Sequence, residues 1–202
     1  MSLFCLIIYV GNMSTKWIIS IVILLTLVLS DISTANSSSA IANEEMRVSM
    51  KSFNVITNFI QKHNKDLSYR EAYSIAYISY DASRKSEKIS WTQLIAQQKV
   101  ESHFDSKAVS HADAKGIPQI IHNQWDWYKP YKLIISNEED LFIPEKSIPA
   151  QVVIMERFLD KHDGNMWRAI RNYCGAYSSE TRDYVRDVLK YKKLLDKQQS
   201  NI

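Results

Sequence analysis

The run KVESHFDSKAVSHADAKGIPQI, Lys99 to Ile120, holds one carboxylate whose position invites chemistry, Glu101. A loop containing Gly116 and a lone Gln119 follows it. On a helix starting after Ser90, Glu101 lies seven residues beyond Leu94 and ten beyond Trp91. At about 100° per residue that spacing puts it on the apolar face, directed at the core or a cleft wall. Desolvation disfavours the ionised carboxylate there, and the negative end of the helix dipole acts in the same sense. Both raise the pKa, and a carboxyl that stays protonated near neutral pH can serve as a general acid. The plainer alternative is a glutamate that turns sideways to cap the helix or pair with Lys99.

Other groups offer less. Asp105, Asp113 and Asp126 read as solvated loop carboxylates, not as partners of Glu101. The five histidines show no HExxH or paired i, i+4 spacing, and Cys174 is the only cysteine beyond Cys5, so no metal site and no cofactor is expected. His103 and His111 flank the motif as surface residues. Trp125 and Trp127, in HNQWDWYKPY, could present flat faces to sugar rings, with Trp125 the better candidate for the core.

The elements that must hold these residues are helical. Four glycines and four prolines in 202 residues leave few turn formers, which argues against an all-β chain. Length favours one domain. Val48, Phe53, Ile56, Phe59 and Ile60 recur at helical spacing. Ser68 with Glu71, and Ser90 with Gln93, have the spacing of capping boxes and open two further helices. All four prolines fall between Phe104 and Pro149, so that stretch admits short helices only. A helix from about Ile148 to Gly164, another ending at Gly175, and an amphipathic last helix with Tyr184, Val188, Tyr191 and Leu195 on one stripe complete the pattern.

The N-terminus stands apart. After Lys16, Trp17 to Ser30 carries no charge, the length of a signal-peptide apolar region and short for a span of about 20 residues. Ser33 and Ala35 supply small residues for cleavage. Residues 1–35 are therefore expected to be a signal peptide or membrane anchor, with Met13 as an alternative start, 36–45 a polar linker and 46–197 the domain. The net charge of +3 suits a polyanionic surface such as a cell wall and is too dispersed for nucleic acid.

IAQQKVESHFDSKAVSHADAKGIPQI resembles the catalytic segment of the soluble-type (SLT) lytic transglycosylases, through Ile95, Glu101, Ser102, Phe104, Asp105, Ala108, Ser110, Ala114, Gly116, Ile117 and Gln119. AIRNYCGAYSSETRDYVRDVLKYKK is similar to that family's C-terminal block. The resemblance implies an all-α, lysozyme-like fold with a groove for a peptidoglycan glycan strand. Glu101 matches the single catalytic acid/base. It would protonate the oxygen between N-acetylmuramic acid (MurNAc) and N-acetylglucosamine (GlcNAc), then accept the proton of the muramic C6 hydroxyl, leaving a 1,6-anhydro end without water. A second carboxylate, needed by ordinary glycosidases, is then dispensable.

Ser102 matches a serine that bonds near the carboxylate and sugar, Gln119 a groove glutamine that pairs with the glycan, and Tyr173 a tyrosine whose hydroxyl approaches the carboxylate. Three positions depart from the family pattern: Asp113 replaces a glycine, Pro118 a methionine and Cys174 an asparagine. These bear on substrate preference. The expected role is wall remodelling or local opening of the wall for an envelope-spanning secretion or conjugation apparatus, in the periplasm or cell envelope. A water-using muramidase and a non-catalytic glycan-binding scaffold are the alternatives.

Overall fold

The computed structural model describes residues 40–175 and 179–202. The expected export segment, 1–35, and the first part of the expected linker lie outside the described residues. Two compact units divide at Ser49 and Met50. In the first, residues 40–49 are helical and largely exposed, so the described part of the expected linker has regular structure. Arg47 pairs with Glu44 on that helix.

The second unit is all helical apart from turns and isolated bridges among its described residues. Its helices are α1 (residues 50–63), α2 (Tyr69–Arg84), α3 (Trp91–Glu101), the one-turn α4 (Lys129–Lys132), α5 (Pro144–Lys161), α6 (Met166–Tyr173) and α7 (Ser179–Gln199). Among the described residues no helix is long and apolar enough to cross a membrane.

The capping signals act unequally. Ser68 Oγ accepts from Glu71 N while Glu71 Oε2 accepts from Ser68 N at 2.9 Å, a complete capping box. Ser90 Oγ likewise accepts from Gln93 N at 3.2 Å, yet the Gln93 side chain is wholly buried and the reciprocal half is missing. The reason is that α3 is not an amphipathic surface helix: every residue from Trp91 to Lys99 is buried, polar ones included. Its largest interface is with α7, and α2 also packs on it.

Buried polar groups on α3 are partly satisfied laterally. Gln98 donates to Gln151 Oε1 of α5 at 3.0 Å and accepts from Ser79 Oγ of α2 at 3.2 Å. Leu94 and Ile95, fully buried, each contribute roughly 1.5–3 kcal/mol of apolar transfer. Thus α3 is an axle with Glu101 at its end.

The helix expected from about Ile148 begins earlier, at Pro144, and runs through Pro149. Pro144 occupies the first turn, where its missing N–H is harmless. Lys146 N and Ser147 N both donate to Ile143 O, which fixes that turn before Pro149 removes one later bond. A second apolar cluster, including Ile120, Tyr131, Leu141 and Ile154, sits beneath the loop that follows Glu101.

Candidate active site

The loop from Ser102 to Ile120 is built around residues in left-handed conformation. His103, Phe104, Asp113 and Gln119 have φ of 56°, 68°, 64° and 51°, and Gly116 has 72°. Phe104 is fully buried and nails the start of the loop to the main core. Asp113 stands at a backbone position that a glycine fills without strain; aspartate is one of the few other residues that visit it readily. Lys115, itself buried, pairs with Asp113 and Glu138 at 2.6 and 2.5 Å.

Gly116 permits a close crossing. A Cβ there would lie 1.9 Å from the Leu141 carbonyl oxygen. Around it, Gly116 N donates to Ala108 O at 2.9 Å, and Gln119 Nε2 donates to Ala108 O and Gly116 O at 3.1 and 2.9 Å. The Gln119 amide nitrogen is therefore spent on the loop itself, while the residue still borders the cleft. Ser102, the C-cap of α3, donates from Oγ to Ile117 O at 2.8 Å. That bond ties the two ends of the loop together.

Glu101 opens onto a cleft of about 320 Å³ bordered by Gln119, Trp125, Phe158, Tyr173 and Tyr184 among others. Glu101 is the one carboxylate among the described residues lining it. The side chain retains some surface, but the protein packed about its carboxyl pushes the pKa up to about 8; a hydrogen bond from Tyr184 works in the opposite sense. Burial dominates because the neutral acid needs no solvation of charge.

Tyr184, on α7, donates its hydroxyl hydrogen bond to Glu101 Oε1. The family resemblance implies Tyr173 as the tyrosine whose hydroxyl approaches the carboxylate. The structure instead has Tyr173 donate to Pro118 O at 2.7 Å, from a ring packed edge-on against Phe158. Burial, followed by the nearby Glu101, holds both phenols well above their usual pKa, so both remain donors. In the sequence Tyr184 is legible as part of an apolar stripe and within the C-terminal block that resembles the family, with no role attached to it.

Asp105, Asp113 and Asp126 are exposed, none of them lining the cleft. Trp125 is half-buried, edge-on to Phe158 with centroids 5.3 Å apart, whereas Trp127 is 61% exposed. A larger cavity of about 520 Å³ lies between α1 and the end of α7, where Lys51 and Lys62 supply cations but no side-chain carboxylate is present. Among the described residues no group of His, Cys, Asp and Glu could hold a metal ion.

This arrangement can deliver a proton into a cleft and take one back at the same oxygen atoms. Residues 77–194 match the family described as Transglycosylase SLT domain. The match spans α2 to α7 and includes Glu101, Ser102, Gln119, Tyr173 and Tyr184. No curated protein matches the chain.

Proposed function

The chain belongs to the transglycosylase SLT family, lysozyme-like all-α proteins that act on peptidoglycan, and we propose that Glu101 is the single acid/base of a lytic transglycosylase. The observation that carries this reading is the isolation of Glu101 as the one described carboxylate of the cleft, with its pKa raised to about 8. A carboxyl with that pKa enters the reaction protonated at neutral pH.

In the proposed reaction Glu101 donates its proton to the oxygen between MurNAc and GlcNAc as the bond to the muramic anomeric carbon breaks. The resulting carboxylate takes the proton from the muramic C6 hydroxyl as O6 bonds to that carbon. The proton lost in the first half is regained in the second. No second carboxylate is required, because the nucleophile comes from the substrate.

Tyr184 suits the intermediate stage. Its hydroxyl hydrogen-bonds Glu101 and favours the ionised form that must persist between the two transfers. Gln119, Ser102 and Tyr173 then hold the wall against which the sugar lies: each side chain bonds a backbone carbonyl within the loop or from α6 to it. The role assigned to these three is positioning as well as any direct contact with glycan.

A wall substrate requires a site of action outside the cytoplasm, and the uncharged run Trp17–Ser30 followed by Ser33 and Ala35 supports export by a signal peptide or anchor. Local opening of the wall for an envelope-spanning apparatus is the use proposed for the domain. The chemical test is mass spectrometry of products from purified peptidoglycan. Muropeptides ending in 1,6-anhydromuramic acid, absent with Glu101→Gln, are expected; reducing ends would establish a water-using muramidase instead, and no cleavage by wild type would leave a glycan-binding scaffold.

A further inference from the structure

We infer that Arg157, beside Trp127 and next in sequence to the cleft residue Phe158, is a recognition site for the carboxylate attached to the muramic sugar, so that the protein distinguishes acid-bearing wall glycan from neutral glycan. The inference rests on the proposed peptidoglycan reading and adds the feature of the strand that the cleft selects.

The site is assembled from two elements. Arg157 lies on α5 directly before Phe158, which borders the cleft. Its guanidinium carbon sits 4.6 Å from the centroid of Trp127 and 5.0 Å from that of Tyr128. Trp127 in turn stacks on the cleft residue Trp125, with centroids 6.4 Å apart and planes 21° from parallel. Its indole nitrogen donates to Gln124 O at 2.8 Å, which fixes the plane of the ring. A continuous aromatic path therefore leads from the cleft to Arg157.

A guanidinium seated beside aromatic rings can still present its in-plane N–H groups, in the fork that matches the two oxygens of a carboxylate. Arg157 is exposed, and among the described residues no carboxylate forms an ion pair with it. Asp126, next to Trp127 in sequence, is exposed and unpaired with it as well. The guanidinium, with no described carboxylate paired to it, thus stands next to Trp125 and Phe158, two residues that border the cleft.

Muramic acid differs from glucosamine by its lactyl group, and that group supplies the matching anion in two ways. Stripped of peptide it is itself a carboxylate; substituted, it carries a stem peptide with carboxylates of its own. Both place an acid a short reach from the sugar ring, beside rings suited to pack against the glycan.

The test uses binding, so that turnover does not enter. Glu101→Gln protein, with and without Arg157→Gln or Arg157→Lys, is titrated by calorimetry with soluble strands in three forms: peptide-bearing, amidase-stripped, and stripped strands with the lactyl carboxyls converted to amides. Circular dichroism checks that each variant is folded. Arg157→Gln is expected to weaken binding of acid-bearing strands about tenfold, in line with a charge-assisted hydrogen bond at an exposed site, and to leave the amidated strands unaffected. Arg157→Lys should recover only part of the loss, since it restores charge without the fork. A loss confined to peptide-bearing strands identifies the stem as the source of the acid, one confined to stripped strands the lactyl group. Equal binding of amidated and acid-bearing strands by the parent, or the same loss on both with Arg157→Gln, overturns the inference. If the parent binds no strand of any form, the peptidoglycan reading falls with it; if it binds strands and Arg157 is indifferent, only this inference falls.

Discussion

Tyr184 on α7 donates a hydrogen bond to Glu101 at the end of α3, joining residues 83 positions apart. The bond crosses the interface between α3 and α7, the most extensive helix pairing in the fold, so the hydroxyl is positioned by the core itself. Burial raises the carboxyl's pKa and this bond lowers it, with burial the larger. Glu101 must be protonated to act as an acid, so activity should fall as pH rises through its pKa. Tyr184→Phe removes the lowering influence. The alkaline limb of the pH–rate profile is expected to move to higher pH, and kcat to fall because the carboxylate left after proton donation has lost its donor. An alkaline limb that stays in place would show that this hydroxyl does not tune the acid.

Tyr173→Phe gives the contrasting case. Its hydroxyl holds Pro118 O, in the loop that borders the cleft, and does not bond Glu101. The expected result is a stability loss of about 0.5–1.5 kcal/mol in a denaturant titration, with the alkaline limb of activity where wild type has it. Exchange of the two results between the tyrosines would reverse their assigned roles.

Glu101→Gln should reduce activity by about 10²–10⁴ and change stability in a direction fixed by linkage. The folded pKa, about 8, lies above the ordinary value of 4.5. Below pH 4.5 the group is neutral whether folded or unfolded, and its contribution is fully present. As pH rises toward 8 the unfolded chain ionises while the folded one resists, so stability is lost at up to ~1.4 kcal/mol per pH unit. Glutamine carries no such dependence and can still accept from Tyr184. Thermal unfolding should therefore find Glu101→Gln more stable than wild type at pH 8, with the difference closing at pH 4. An advantage equal at both pH values would mean that Glu101 is ordinarily ionised in the fold.

How these residues meet was only partly written in local sequence. Ser68 and Glu71 announce α2 because capping is a contact within four residues, and Glu101 reads as inward-facing because Leu94 and Trp91 lie a fixed helical distance before it. The burial of α3 on all sides escaped the same logic. Gln93, Gln97 and Gln98 look like a solvated face until Ser79 and Gln151, from α2 and α5, close around Gln98. The place of Tyr184 escaped for a similar reason: it and Tyr173 are both aromatics at helical spacing, and only the packing of α6 and α7 decides whose hydroxyl bonds Glu101. Pro149 reads as a break, but the turn anchored on Ile143 O had already formed ahead of it.

Gly116 carries the sharpest structural demand in the loop, and Gly164 supplies its control. Both have positive φ, 72° and 78°, so alanine at either position meets the left-handed strain of about 1–2 kcal/mol. At Gly164 nothing lies within 4 Å of the added Cβ, and strain is the whole effect. At Gly116 the Cβ would meet the Leu141 carbonyl oxygen at 1.9 Å and its carbon at 2.9 Å, backbone atoms that cannot rotate away. Relief requires the loop to separate from the Glu138–Phe142 turn, which adds a further cost of about 1–3 kcal/mol. Denaturant titrations should accordingly show Gly116→Ala less stable than Gly164→Ala by at least about 1 kcal/mol. Loop displacement would also disturb the bonds by which Gly116 O holds Gln119 and Ile117 O holds Ser102, so Gly116→Ala alone should lose glycan cleavage under conditions where both variants remain folded. Equal destabilisation of the two, with cleavage intact, would mean that the loop can leave Leu141 without cost to the cleft.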